Sequence, residues 1–140
     1  MKKIVLSLIV ILFAITTSFA GTPPSDVQKA FDKMYPGASK ISWDQEKPSV
    51  WEAEFVSDGY KMEAKFSDKG MWIQTESDVK VSNLPAAIKE TIKTKYTGWE
   101  AEEANKVESA KEGSMFEVTL KMGVDKKSLS FKEDGTQISK

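Results

Sequence analysis

Val27, Ala30, Phe31 and Met34 fall at i, i+3, i+4 and i+7, and Leu84, Ala87, Ile88 and Ile92 form a second stripe of the same kind. Apolar residues at that spacing line one face of an α-helix. Each stripe stops at a Tyr-x-Gly, Tyr35-Pro36-Gly37 and Tyr96-Thr97-Gly98, where proline and glycine turn the chain. Thr22 and Asn83 are the expected N-caps, with Pro23, Pro24 and Pro85 in the first turns.

After each helix the period changes to two. Trp51 to Phe55 and Tyr60 to Phe66 alternate apolar and charged residues, and Phe116, Val118, Leu120 and Met122 share one face of Met115 to Met122. Asp58-Gly59 and Asp134-Gly135 are turn signals, with Lys69-Gly70 weaker. Adding Lys40–Asp44, Met71–Thr75, Glu102–Ser109, Ser128–Lys132 and Thr136–Ser139 makes about four strands after each helix. The links are of hairpin length, so the strands pair antiparallel. The expected fold is α+β: a sheet of up to eight antiparallel strands with both helices on one face.

The two helix-plus-strands units are copies. Thr22/Asn83, Pro24/Pro85, Val27/Ile88, Phe31/Ile92, Tyr35/Tyr96 and Gly37/Gly98 are each 61 residues apart. Trp51/Phe116, Glu52/Glu117, Phe55/Leu120, Phe66/Phe131, Gly70/Gly135 and Ile73/Ile138 are each 65 apart. The second copy therefore carries four extra residues between Gly98 and Phe116, in a longer first strand or hairpin loop. The division is residues 21–81 and 82–140, together one compact domain.

Alternation assigns the faces. With Trp51, Ala53, Phe55, Met62, Ala64, Phe66, Phe116, Val118 and Leu120 toward the helices, Glu52, Glu54, Lys61, Glu63, Lys65, Glu117, Thr119 and Lys121 occupy the opposite face. Opposite charges facing one another there would stabilise the sheet modestly, by about 0.2–1 kcal/mol per pair. Ile73 is expected to face the helices with its partner Ile138, which sends Trp72 to the open face as an aromatic anchor among charges. Trp43 and Trp99 fit either parity.

Residues 1–20 read as a secretory leader: Lys2 and Lys3, the apolar run Ile4–Ile15, and the small-x-small Ser18-Phe19-Ala20. The run is too short to span a bilayer, which takes roughly 20 apolar residues. Cleavage after Ala20 would leave 120 of the 140 residues, in the periplasm or secreted, with no membrane anchor. Without Lys2 and Lys3 the charge is 18 basic against 21 acidic, net −3, and every basic residue is lysine. Lacking the bidentate arginine fork, the chain is not expected to read nucleic acid. Histidine and cysteine are absent, so triads, thiolate chemistry and their metal sites are closed. Asp68 and the run Lys132–Gly135 lack the alternating ligands of a calcium loop, and Lys126, Lys127 and Ser128 are not expected to form a Ser-Lys dyad, since adjacent strand residues point to opposite faces. No cofactor or metal is expected. Two carboxylates in a cleft with split pKa values would make a hydrolase, but Glu52/Glu54 and Glu102/Glu103 lie among lysines or in a charged stretch.

Tyr35-Pro-Gly-Ala38, Ile41-Ser-Trp43, Trp51-Glu-Ala-Glu-Phe55, Tyr96-Thr-Gly-Trp99, Glu103-Ala104, Val107-Glu108 and Phe131-Lys-Glu-Asp-Gly135 resemble the exported PepSY-like proteins of Bacteroidota-type bacteria. Their fold is similar to that of the β-lactamase inhibitory protein. The resemblance implies a tandem helix-plus-four-strand architecture with a concave sheet, and an association with restraint of secreted peptidases. The chain lacks the inhibitor's disulfides and matches none of its enzyme-inserting loop residues, so β-lactamase inhibition does not carry over. The expected function is a non-enzymatic module binding a protein or peptide of the cell envelope, or restraining a peptidase, through the open face. The alternative is an envelope structural or stress-related protein whose sheet is merely solvated.

Overall fold

A computed structural model describes residues 19–138, so the leader from Lys2 to Ser18 lies outside the described residues. Within each unit, alternating segments joined by turns of two to five residues pair with their sequence neighbours. In chain order the elements are β1 (Phe19–Ala20), α1 (Ser25–Met34), β2 (Ser39–Lys47), β3 (Val50–Ser57), β4 (Tyr60–Ser67), β5 (Trp72–Asp78), a short 3-10 turn (Val81–Asn83), α2 (Ala86–Lys95), β6 (Glu100–Ser109), β7 (Gly113–Met122), β8 (Asp125–Phe131) and β9 (Gln137–Ile138). All strands are antiparallel and lie in chain order β1 to β9. The halves share one sheet, because β5 pairs with β6 from Gln74↔Ser109 to Asp78↔Asn105.

Both helices lie on one face, each over its own core. Val27 and Phe31 of α1 pack with Trp51, Ala53, Phe55, Ala64 and Phe66. Leu84, Ile88 and Ile92 pack with Ala104, Phe116, Val118, Leu120 and Phe131. Met62 is partly buried against the first core, so the helix-facing set is the one alternation requires. Met34 and Ala87 depart from the helical stripes: both are exposed, Met34 by 45 %, so the α1 stripe ends one turn early.

The helix starts differ from expectation. Pro24 and Pro85 are themselves the N-caps, with extended backbones (ψ 151° and 139°) and no side-chain cap. Thr22 and Asn83 lie outside the caps because a proline before the first turn already supplies the extended geometry and has no N–H to satisfy.

The units are copied in detail. Gly70 and Gly135 have φ of +76° and +84°, and a methyl group on either would stand 2.5 or 2.6 Å from the carbonyl oxygen of Asp26 or Ala87. The turn between the last two strands of each unit thus presses on the first turn of that unit's helix. Tyr35 and Tyr96 cap the helix C-termini and reach the last strands, Tyr35 to Thr75 and Tyr96 to Gln137 Oε1 at 2.6 Å. Register shifts recur near the start of each unit's first long strand, ending at Ser42 and at Glu103, 61 residues apart. The four extra residues of the second unit fall in the β6–β7 hairpin: β6 is one residue longer than β2, its turn is one longer, and β7 begins two residues before the position equivalent to Val50.

Candidate functional site

All four tryptophans belong to the helix side. Trp43 packs edge-on to Phe31 with ring centroids 5.2 Å apart. Trp51 is in the first core, and Trp99 lies against the second with the Lys127 ammonium 3.8 Å above its ring. Trp72 corrects the expectation of an open-face anchor. It pairs with Phe66 and packs on the first core, and its Nε1 donates to Thr75 Oγ1 at 2.8 Å. The reason is a bulge: Phe66 opposes Trp72 but Lys65 opposes Gln74, leaving Ile73 unpaired on β5. One extra residue inverts side-chain parity. Ile73, expected to face the helices, is absent from that core and lines an open-face groove instead.

The other candidates lie on the open face, in three arrangements. Lys65 Nζ bridges Glu46 at 3.0 Å and Glu52 at 3.1 Å. Lys121 Nζ meets Glu102 at 3.2 Å. Between them the pattern departs from alternating sign: Glu54 pairs with Glu63, Glu63 with Glu76, and Glu76 with Val107, which opposes Met115. Three carboxylates from adjacent strands therefore stand in one row, continued by two apolar side chains. Glu117 sits one row over between Asn105 and Ser130, and Lys61 opposite Val56.

Val107 and Met115 are 7 % and 8 % exposed yet belong to neither helix-side core. They floor a groove of about 700 Å³ between the two units, with Ile73 and Met71 on one side and Ser109 to Glu112 of the β6–β7 hairpin on the other. The extra residues of the second repeat supply this second wall, held to β5 by Ala110 N–H donating to the Ile73 carbonyl at 3.0 Å. Residues not anticipated from sequence are thus Glu46, Glu76, Ile73, Val107 and Met115. The alternation of Gln74-Thr75-Glu76 already put Glu76 out of phase with buried Thr75, and Met115 out of phase with Phe116.

The electrostatics follow from the row. Partial burial, then the charges of Glu52, Glu76 and Glu54, raise the Glu63 carboxyl above its ordinary pKa. Burial followed by Glu117 raises Glu76, against a hydrogen bond donated by Asn105 Nδ2 to Glu76 Oε1 at 2.7 Å. Burial alone would lower Lys65, but its bonds to Glu46 and Glu52 outweigh this and raise it. Among the described residues no acidic group of three is arranged to hold a metal ion.

A carboxyl with a raised folded pKa holds its proton more tightly when folded. Its favourable contribution is present below the unfolded value and is lost as pH rises through the folded one. Glu63→Gln/Glu76→Gln is therefore expected to unfold at a higher temperature than wild type at neutral pH, with the gain shrinking toward about pH 4, where carboxyls protonate. Calorimetry at both pH values checks this; a gain equal at both would show that ionisation is not its source.

Residues 49–139 match the family model described as "Putative beta-lactamase-inhibitor-like, PepSY-like". The chain belongs to this PepSY-like family. Among solved structures, a BLIP-like protein of Bacteroides fragilis is 31% identical, with 85% of this chain and 86% of that one aligned at a TM-score of 0.74. A DUF2874 family protein of Bacteroides ovatus is 25% identical over 85% and 86%, TM-score 0.77. A protein of Bacteroides eggerthii described among "putative periplasmic proteins" shares the fold at 22% identity over 85% and 88%, TM-score 0.77. No curated protein matches the chain at significant similarity. The family's sheet and helices are those expected from the repeat, and no helix among the described residues is long and apolar enough to cross a membrane.

Proposed function

We propose that this PepSY-like chain is an exported, non-enzymatic module that binds a protein of the cell envelope through its open sheet face. One observation carries the reading: Glu54, Glu63 and Glu76 face one another in adjacent pairs although like charges directly opposed weaken a sheet. A face that served only solubility would gain from alternating signs, as around Lys65. Violations of a local rule concentrate where a surface has another task. Beside the row, the apolar side chains of Val107 and Met115 line the groove on the same face.

Export rests on the leader, and cleavage after Ala20 removes β1, which pairs with Asp44 and Gln45. The mature sheet then begins at β2, and N-terminal sequencing of the periplasmic form should start at Gly21. For binding, photo-cross-linkers are placed at Lys61 on the open face and at Lys33 on the exposed side of α1, and partners are captured from envelope extract. Cross-links from position 61 alone are expected, with capture reduced by Glu54→Lys/Glu63→Lys. Cross-links from position 33 only, or undiminished capture by the charge-reversed variant, would move the site off this face.

A further inference from the structure

We propose that the groove between the two repeats binds an extended partner segment that combines lysine or arginine with apolar side chains. This rests on the open-face reading above and adds the chemistry of the partner.

The groove breaks the internal symmetry. In the first unit the turn between β2 and β3 is only Pro48-Ser49, whereas the second unit's longer β6–β7 hairpin raises Ala110, Lys111 and Glu112 as a wall beside Val107 and Met115. A volume of about 700 Å³ is in the range of built ligand clefts, which run to roughly 300–1,000 Å³. Its floor is apolar, and at its edge Met71 is 64 % exposed.

Charge selects the occupant. Glu76 belongs both to the groove lining and to the carboxylate row, so the apolar floor and the row are contiguous. Glu54 and Glu63 form no ion pair among the described residues, the nearby ammonium of Lys65 being bound to Glu46 and Glu52. A cation laid over the row separates three like charges, whereas an acidic segment would add to them. Strands lie about 4.8 Å apart, so Glu63 and Val107, two strands apart, are separated by about 10 Å, or roughly three residues of extended peptide. A basic residue and an apolar residue a few positions apart can therefore engage both halves.

The test uses three fluorescein-labelled peptides, KTKTLTL, ETETLTL and KTKTSTS, in polarisation titrations against the purified mature protein at near-physiological salt. KTKTLTL is expected to bind at least tenfold more tightly than either control. Glu63→Lys should weaken it about tenfold, and Val107→Thr, close to isosteric and suited to a strand, several-fold, with thermal melts confirming that both fold. Equal affinity for the basic and acidic peptides, no binding of KTKTLTL, or binding unchanged by both substitutions would overturn the proposal. If envelope partners still cross-link from position 61 in that event, the open-face reading stands and only the partner chemistry falls. Cross-links from the helix side alone remove both.

Discussion

Phe31→Ala is expected to destabilise the protein by about 3–5 kcal/mol, the range for deleting a buried phenylalanine. Phe31 is 2 % exposed and is the hub of the first core: ring centroids of Phe55, Trp43, Tyr35 and Phe66 lie 4.9, 5.2, 5.4 and 6.3 Å from its own. These partners come from β2, β3, β4 and the end of α1, so one side chain ties the helix to three strands. The loss combines transfer free energy with a cavity whose aromatic walls cannot collapse without leaving their strands. Urea denaturation should show a lower midpoint with the far-ultraviolet spectrum retained. A change below about 1 kcal/mol, typical of surface sites, would mean the α1 core is not closely packed.

Gly135→Ala is expected to cost about 2–4 kcal/mol, and Gly70→Ala a similar amount, through two contributions seldom found together. The positive φ is unfavourable for any L side chain by about 1–2 kcal/mol. The added methyl group would also press on helix backbone, 2.6 Å from the Ala87 oxygen and 2.8 Å from its carbonyl carbon. Rotating a side chain cannot relieve this, so the turn must lift from α2 and strain the bond from Thr91 Oγ1 to the Gly135 carbonyl, 3.0 Å long. Gly59→Ala is the control: its φ is +81° but nothing lies within 4 Å, so only the backbone contribution remains. Thermal melts of the three variants check the order. Equal losses at Gly59 and Gly135 would remove the close approach as a cause.

Much of this was legible because two simple periods dominate the chain. The stripes through Val27/Phe31 and Ile88/Ile92, and the alternation of Trp51 to Phe66, name nearly the whole buried set. The 61- and 65-residue offsets carry assignments from one unit to the other. The same offsets carry subtler features: Ala38 and Trp43 of the first unit correspond to Trp99 and Ala104 of the second, so at this pair of positions alanine and tryptophan exchange places. The site was less legible. Strict alternation puts Trp72 on the open face, but the bulge at Ile73 breaks that alternation in β5, and Trp72 pairs with Phe66 on the helix side as its repeat partner Gln137 pairs with Phe131.

The amino-acid sequence by itself determined the duplication, the antiparallel strands, the cores under α1 and α2, and the identity of most side chains on the open face, because these depend on local periodicity. Only the tertiary structure decided that β5 joins β6 to make one sheet, that Glu54, Glu63 and Glu76 stand in a row running into Val107 and Met115, and that the extra β6–β7 residues wall a groove. Those relations depend on register between strands far apart in the chain. A one-residue bulge, invisible in the alternation of neighbouring residues, reverses which side a tryptophan occupies.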